Sequence, residues 1–352
     1  MDETAYQDAA TTIQAAIDDS LKVIEQDREK EIISRRFGLF DRKETLEQIG
    51  EMLGITRERV RQLEKAILIR LKIATEEGKI PRVADVERIV IRDLSENGRV
   101  GRVQDVTARI VGDEKTSQYK SHIAFLSELS PKLTVVSEND NYYHAIGIGE
   151  HGNEKDTKEK IDNIVKTIKA YKKPINIEEL HAQTDYEQPS HVSGLASVSK
   201  LLATLNNHWG LTKWPTVNPK NIRDKIYVIL AENGKPLHFS EIAKAIKASD
   251  FKRKDVTTQA IHNELIKDKR FVLIGRGIYA LDSWGYSKGT VSDIITDVLR
   301  EAGEPLHRDD IVRRVLKKRQ VKETTILLNL QSKPQFKRVA KATYALAEAD
   351  NS

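Results

Sequence analysis

The sequence predicts a mainly α-helical protein with small β-hairpin wings, in which an N-terminal helix-turn-helix is followed by tandem winged-helix domains. Two observations lead to this prediction. Residues 45–72 hold helix-start, turn and apolar residues at the spacing of two short crossing helices. The rest of the chain repeats one pattern four times, and the last two copies end in alternating side chains that are typical of a β-hairpin.

Length and composition favour several helix-rich domains. The chain has 352 residues, of which 39% are hydrophobic and 32% charged, a mixture that favours globular modules over disorder. Because 58 basic residues are offset by 53 acidic ones, a nucleic-acid surface must come from local clustering and not from the net charge of +5. Cysteine is absent, which excludes disulfides, Cys-ligated zinc and thiol catalysis.

The sequence gives no sign of export or membrane insertion. The N-terminus reads Met1-Asp2-Glu3-Thr4 and lacks the basic-then-apolar order of a signal peptide. Apolar runs such as residues 226–230 are far shorter than the roughly 18–20 residues that span a bilayer. We therefore expect a cytoplasmic, nucleoid-associated protein with no membrane partner.

Residues 45–63 carry the signals of a helix, a tight turn and a second helix. Thr45 and Gln48 have the spacing of a capping box, Gly54 can adopt the positive φ of a tight turn, and Thr56 is a good N-cap. The apolar residues fall where two crossing helices would share a core. They are Ile49, Leu53, Ile55, Val60 and Leu63.

The second predicted helix leaves a polar face opposite this core. Its residues are Arg57, Glu58, Arg61, Gln62 and Lys65. Arginine can donate two hydrogen bonds to guanine, glutamate can accept one from cytosine N4, and glutamine can pair with adenine. Such a face can also be ordinary solvated surface, but the capping box, the turn glycine and the apolar pattern together favour base reading.

Residues 27–39 and 45–72 strongly resemble the C-terminal, −35-element-reading region (region 4) of bacterial primary-type sigma factors. The most specific part is residues 54–64, Gly-Ile-Thr-Arg-Glu-Arg-Val-Arg-Gln-Leu-Glu. The resemblance covers about 50 of the 352 residues. It implies promoter-like double-stranded DNA and core RNA polymerase as partners.

The same resemblance implies a role for each residue of the predicted site. Arg57, Glu58 and Gln62 would touch base edges, and Arg61 would touch bases or phosphate. Lys65 can replace a phosphate contact that the family often makes from the position of Ala66. The residues implied to face phosphates are Thr56 and, at the start of the first helix, Leu46 and Glu47, whose backbone amides would be the donors.

From about residue 83 to residue 349 the chain looks like four degenerate copies of one unit. Their anchor residues Val106, Leu180, Ile242 and Ile311 are 74, 62 and 69 residues apart, a period that indicates duplicated small domains and not a solenoid. The predicted domains are a helix-turn-helix domain at 1–80 and four winged-helix modules, here called modules 1 to 4, at 83–148, 157–218, 219–283 and 286–349.

Each module is predicted to contain three helices and a hairpin wing. The helices are expected at 222–231, 240–246 and 256–267 in module 3, and at 291–302, 308–316 and 323–330 in module 4. The hairpins are expected at 271–281 and 336–346. Modules 3 and 4 resemble HARE-HTH domains, winged helices that are found in the delta subunit of bacterial RNA polymerase and in some chromatin and restriction proteins.

The wings differ in their predicted capacity to bind DNA. Arg276 stands between two glycines at the tip of the module 3 wing, where it can reach phosphate or a minor groove. Module 4 is rich in Lys and Arg, which is consistent with DNA or polymerase contact and equally with ordinary solvation. The module 1 wing turn, residues 138–141, is too acidic for contact with phosphates.

No catalytic constellation stands out. Residues 147–152 match the dinucleotide-binding fingerprint, but no βαβ alternation surrounds them, so a linker is favoured. The nine histidines include no i, i+4 pair of the kind that binds zinc on a helix, and no Gly-Lys-Ser/Thr phosphate loop occurs. We therefore predict no enzyme activity, no catalytic residue, no metal, no cofactor and no small-molecule ligand.

Three hypotheses follow from the sequence. The first is a sequence-specific DNA-binding transcription initiation factor or regulator, with sigma-like reading of a −35 element and RNA polymerase association. The alternative is a non-specific DNA-organising or scaffold protein built from winged helices. A DNA-processing accessory, such as a restriction component, is a third reading without a catalytic site to support it.

Overall fold

The computed structural model describes residues 3–251, 255–286 and 289–347, so residues 287, 288, 348 and 349 of predicted module 4 lie outside it. The chain divides into two compact units, Met1–Lys213 and Trp214–Ser352. No helix in the described part of the chain is long and apolar enough to cross a bilayer.

Four helices form the N-terminal part of the first unit. The second helix is capped at its end by Gly38, whose backbone is left-handed, and the third and fourth flank the predicted turn. The bounds are α1 Glu3–Lys22, α2 Asp27–Phe37, α3 Leu46–Leu53 and α4 Arg57–Glu76.

Modules 1 and 2 complete the first unit, except that residues 214–218 of predicted module 2 fall in the second unit. Each of these modules has one strand, two helices and two further strands after its first helix. Module 1 consists of α5 Pro81–Asn97, β1 Val100–Arg102, α6 Val103–Val111, α7 Thr116–Leu129, β2 Leu133–Val136 and β3 Ala145–Ile148. Module 2 consists of α8 Glu154–Tyr171, β4 Ile175–Asn176, α9 Ile177–His181, α10 Pro189–Val198, β5 Leu202–Leu205 and β6 His208–Leu211.

Modules 3 and 4 form the second unit and repeat the same order of elements. Module 3 consists of α11 Ile222–Asn233, β7 Leu237–His238, α12 Phe239–Ala248, α13 Thr258–Lys267, β8 Phe271–Gly275 and β9 Ile278–Leu281. Module 4 consists of α14 Val291–Ala302, β10 Leu306–His307, α15 Arg308–Lys318, α16 Glu323–Ser332, β11 Phe336–Ala340 and β12 Thr343–Leu346.

Each module has an antiparallel sheet of three strands in which the last strand is central, with orders β1-β3-β2, β4-β6-β5, β7-β9-β8 and β10-β12-β11. The equivalent pairs Leu237–Tyr279 and Leu306–Tyr344 show that modules 3 and 4 share one register. Three helices and a small sheet ending in a hairpin are a winged helix. The structure thus confirms the predicted fold class.

The predicted elements of modules 3 and 4 agree with the structure to within a few residues. The largest difference at a helix start is in α13, which begins at Thr258 and not at Val256. The reason is local, because the Thr257 hydroxyl accepts the Ala260 amide at 3.2 Å and so caps the helix one residue before its start.

The two histidines at equivalent repeat positions also cap helices. The Ser240 amide donates to His238 Nδ1 at 3.3 Å, and the Asp309 amide donates to His307 Nδ1 at 3.4 Å. Each imidazole thus satisfies one free amide at a helix start. Within the described ranges, no three His, Asp or Glu side chains are grouped to hold a metal ion.

One hydrophobic core runs through α1 to α4 and module 1. Ile17, Ile67, Ile80 and Phe125 are all buried members of it, and Phe37 meets Phe125 edge to face with ring centroids 5.0 Å apart. The predicted boundary between residues 80 and 83 lies inside this core. The division into a domain at 1–80 and a separate module 1 stays a prediction.

Candidate nucleic-acid interface

A turn of three residues connects α3 to α4. Gly54 has φ +65°, and the Ile55 amide donates to the Gly50 carbonyl at 2.9 Å. A Cβ atom on Gly50 would lie 2.7 Å from the Ile55 carbonyl oxygen, closer than real Cβ atoms come. The turn therefore needs glycine at position 54 for its backbone angle and at position 50 for space.

Side-chain caps fix where both helices start. The Gln48 amide donates to Thr45 Oγ1 at 3.2 Å and the Thr45 amide donates to Gln48 Oε1 at 2.9 Å, which is the predicted capping box. The Thr56 hydroxyl accepts the Arg59 amide at 3.2 Å. Local sequence thus sets the angle at which the chain enters α4.

The predicted apolar residues hold α3 against α4. Ile49 and Val60 are fully buried, while Leu53, Ile55 and Leu63 are half-buried and pack against the same core. The two helices and their turn form a helix-turn-helix, as predicted.

The predicted polar face of α4 is open to solvent. Arg57, Glu58, Arg61, Gln62 and Lys65 are all exposed. These positions follow one another at intervals that bring them onto a single side of a helix. We call these five residues the α4 row. Because the row starts in the first turn of α4, its side chains project from the end of the helix that follows the tight turn.

Acidic partners contact both arginines of the α4 row. Arg57 Nη1 lies 2.7 Å from Glu47 Oε1 on α3, and Arg61 Nη2 lies 2.6 Å from Glu58 Oε1. Gln62 Nε2 donates to the same Glu58 oxygen at 3.5 Å. The hydrogen bond from Arg61 is the main reason why the pKa of the Glu58 carboxyl lies below its usual value of 4.5. Glu58 is therefore ionised at neutral pH.

The residues predicted to face phosphates occupy two helix starts. Thr56 is exposed at the N-cap of α4, Leu46 is half-buried against the core, and Glu47 is exposed. Since a carboxylate repels phosphate, only the backbone amide of Glu47 suits a phosphate contact. The cap from Thr45 takes the Gln48 amide, which leaves the Leu46 and Glu47 amides as the free donors that a helix start offers.

Contacts from α2 that the sequence did not reveal support the helix-turn-helix. Arg28 Nη2 donates to the Leu53 carbonyl at 2.8 Å and so satisfies an oxygen at the end of α3. Arg36 Nε donates to Glu64 Oε1 at 3.1 Å and joins α2 to α4. These partners are 25 and 28 residues apart in sequence, so no short-range pattern could have indicated them.

Arg276, the remaining predicted DNA contact, lies in the second unit. It is exposed between β8 and β9, next to Gly277, which has φ +70°. It is therefore a separate candidate contact at a wing tip and not a member of the α4 row. Its predicted role at phosphate or a minor groove stays a prediction.

The geometry defines the class of the N-terminal domain, a helix-turn-helix with an exposed polar row on its second helix. Residues 26–72 match the family model described as Sigma-70, region 4. A 46-residue stretch is 54% identical to "RNA polymerase sigma factor sigB" of Arabidopsis thaliana. The sigma resemblance predicted for this segment is thereby confirmed, whereas the HARE-HTH resemblance of modules 3 and 4 stays a prediction.

The match is confined to this domain. The aligned stretch covers 13% of this chain and 8% of the Arabidopsis protein. The chain thus carries a sigma-70 region 4 domain joined to four winged helices. A match of this length leaves the function of the whole protein to be inferred from its surfaces.

Proposed function

We propose that this chain is a sequence-specific DNA-binding transcription initiation factor or regulator that reads a −35-type element with α4. The observation that carries the proposal is the exposure of the α4 row within the segment that matches region 4. The row combines arginine, glutamate and glutamine, which suit three different bases. A surface that bound phosphate alone would have no use for a carboxylate.

Reading would exchange contacts within the protein for contacts with bases. Arg57 would leave Glu47 to donate two hydrogen bonds to guanine, and Glu58 would accept from cytosine N4 while Arg61 turns to bases or phosphate. These ion pairs are exposed, with 68% of the Arg57 side chain and 58% of the Glu58 side chain accessible. Exposed pairs of this kind contribute little to stability, so opening them costs little.

Phosphate contacts would fix the position of α4 on the duplex. The free amides of Leu46 and Glu47 at the start of α3 are suited to one phosphate, and Thr56 at the start of α4 is suited to another. Lys65, two turns into α4, would contact the backbone further along. Such contacts set the register and carry no sequence information themselves.

Association with core RNA polymerase is the second part of the proposal. It is supported by the identity shared with a protein named as an RNA polymerase sigma factor. A pull-down of purified core polymerase with the full chain tests it, with retention of polymerase as the expected result. A failure to retain polymerase at low salt would contradict the association with polymerase and would not affect the proposal that α4 reads DNA.

Competition between a −35-type duplex and a scrambled duplex at fixed salt tests the DNA reading. We expect preference for the −35-type duplex, and Arg57→Ala or Gln62→Ala should reduce it by about 1–3 kcal/mol. Arg92→Ala is the matched control, because Arg92 is an exposed arginine on α5, outside the α4 row. A preference that neither variant changes would sink the proposal.

A non-specific DNA-organising or scaffold protein is the alternative. It is favoured by the burial of α7 and α10, the third helices of modules 1 and 2, which pack inside the chain itself. Winged helices used in this way act as packing domains. In the same competition a non-specific binder gives a ratio near one.

A further inference from the structure

The four modules differ in how far their third helix and wing are open to a partner. In module 1, α7 lies in the shared core through Phe125. Its wing contacts module 2, since the Tyr143 amide donates to the Val198 carbonyl at 2.9 Å and Lys200 lies 2.8 Å from Glu138. Neither element of module 1 is free to bind DNA.

Module 2 is closed in the same way. A Cβ atom on Gly194 of α10 would lie 2.7 Å from the Val100 carbonyl oxygen, so the helix touches the backbone of β1. Arg102 Nε donates to the Ser197 carbonyl on the same helix. A helix held against a neighbouring strand cannot enter a DNA groove.

Module 3 has an open third helix but a covered wing. Val272 and Ile274 of β8 are buried and pack against Trp284, which follows the module. At the wing tip, a Cβ atom on Gly275 would lie 3.0 Å from the Gln320 carbonyl oxygen. Chain from outside the hairpin therefore covers one face of this wing and reaches Gly275 beside its tip, although Arg276 itself is exposed.

Module 4 alone has a wing strand that is exposed on both faces. In β11 only Phe336 is buried, and the following four residues are all exposed although successive side chains point to opposite faces. The turn that follows contains Ala342 at φ +57°. The outer part of this wing is therefore free of packing within the described residues.

The charge of this open wing is uniformly positive. Residues 324–347 contain no Asp or Glu, whereas the equivalent stretch of module 3 contains Asp268, which pairs with Arg270 at 2.7 Å. Four cations in the module 4 stretch are exposed, and none forms an ion pair with a described residue. They are Lys333, Lys337, Arg338 and Lys341.

We propose that the module 4 wing, through Lys337, Arg338 and Lys341, binds the phosphate backbone of duplex DNA without regard to sequence. Exposed cations that form no ion pair with a described residue suit phosphates, which need charge and not shape, and the Arg338 guanidinium is engaged only through Nε, which donates to the Ala340 carbonyl at 3.2 Å. The wing aromatics Phe336 and Tyr344 are buried, so no exposed ring offers the stacking platform that single strands require. The inference rests on the proposed function only in taking duplex DNA as the partner.

The salt dependence of binding tests this inference in the full chain. We compare the wild-type protein with a Lys337→Gln, Arg338→Gln and Lys341→Gln triple variant on a duplex of scrambled sequence. The plot of log K against log salt has a negative slope, and each lost phosphate contact reduces the magnitude of that slope by about 0.9. For three lost contacts we therefore expect the magnitude to fall by about 2.7. Thermal unfolding of both proteins checks that the fold is kept.

The control is Arg313→Gln, Arg314→Gln and Lys317→Gln, which removes the same charge from exposed positions on α15 of the same module. A slope kept in the control and reduced in the wing variant supports the inference. Equal reductions of the slope in both variants would mean that DNA binding depends on the total charge of the module and not on the wing. An unchanged slope in the wing variant would mean that the wing does not contact phosphates. Either result overturns the inference.

Two further measurements separate this inference from other readings. Loss of purified polymerase from the wing variant with an unchanged DNA slope would assign the wing to a protein partner and overturn the inference. If Arg57→Ala leaves base preference unchanged while the wing variant loses slope, the proposed function fails and the wing inference stands. If Arg57→Ala lowers base preference while the wing variant keeps its slope, the wing inference fails and the proposed function stands.

Discussion

The guanidinium of Arg57 lies 2.7 Å from the carboxylate of Glu47, so an exposed ion pair joins the first turn of α4 to α3. The same carboxylate sits beside the amides that we propose for phosphate. Glu47 thus orients the arginine in the free protein and opposes the approach of DNA. This double position makes Glu47 a sensitive probe of the interface.

Glu47→Gln should strengthen binding to every duplex. Removing one negative charge next to the phosphates and releasing Arg57 should add about 0.2–1 kcal/mol, the range of exposed ion pairs. Fluorescence anisotropy at low salt measures the gain, with Glu51→Gln, on the exposed surface of the same helix, as the control. Weaker binding by Glu47→Gln would show that its carboxylate itself contacts DNA.

Arg57→Lys should lower base preference while keeping the salt dependence. A lysine keeps the charge but cannot form the two parallel hydrogen bonds that arginine makes with guanine. We expect about 1–3 kcal/mol less discrimination at one base pair and the same slope with salt. Binding to a set of duplexes with single base changes measures this. If discrimination is kept instead, Arg57 does not read guanine through two parallel hydrogen bonds.

Gly50→Ala should destabilise the helix-turn-helix. Its Cβ atom would lie 2.7 Å from the Ile55 carbonyl oxygen, and relieving an overpacked contact costs about 1–3 kcal/mol. Gly147→Ala is the control, because a Cβ atom there meets its neighbours at 3.6 Å or more. Urea unfolding compares the two. Equal stability of both variants would contradict the close crossing of α3 and α4.

Phe125→Ala should destabilise the helix-turn-helix as well as module 1, because both use the same core. Phe125 is fully buried, and removing such a side chain costs about 3–5 kcal/mol. Hydrogen exchange should show faster opening of α4 in this variant. Phe40→Ala, at a side chain that is 68% exposed, should change stability by less than about 0.5 kcal/mol. Unchanged protection of α4 in Phe125→Ala would mean two independent cores.

Acid should destabilise the first unit in part through His122, which is buried, and His144, which is half-buried. Burial lowers the pKa of His122 and of His144 below the usual 6.5. As the pH falls through about 6.5, the unfolded chain binds protons that the folded chain does not, so the free energy of unfolding decreases. Urea unfolding at pH 7.5 and pH 5.5, at roughly one unit on each side of that pKa, measures the loss.

A double His122→Gln and His144→Gln variant should lose less stability between these two pH values than the wild-type protein. The exposed His208→Gln variant should behave like wild type. The pH window starts near 6.5 because that is where the unfolded histidines titrate. An identical loss in the double variant would assign the effect to other groups.

The sequence was most informative where structure depends on near neighbours. Thr45, Gly54 and Thr56 act on residues within a few positions, so the start of each helix and the turn could be predicted. The hairpins of modules 3 and 4 could be predicted for the same reason, because alternation and turn residues are local signals. The confirmed fold class rests on such elements.

Long-range packing could not be predicted in this way. Nothing near Arg28 indicates that it reaches the Leu53 carbonyl, and the Arg57–Glu47 pair depends on how α3 crosses α4. The burial of α7 and α10 depends on which surfaces meet after each module has formed. The exposed row was predictable from periodicity, but the Arg57–Glu47 pair that holds Arg57 in the free protein was not.

Gly98 and Gly194 let main chain press on main chain where β1 meets α10, and a Cβ atom on Gly98 would overlap the Ser190 carbonyl oxygen. Truncated proteins should therefore keep β1 and α10 in the same fragment. A cut between modules 1 and 2 would uncover the surfaces of β1 and α10 that meet at Val100 and Gly194, and newly exposed packing surfaces favour aggregation. A cut near residue 213 avoids that exposure, and the two pieces it yields are the natural starting materials for separate study.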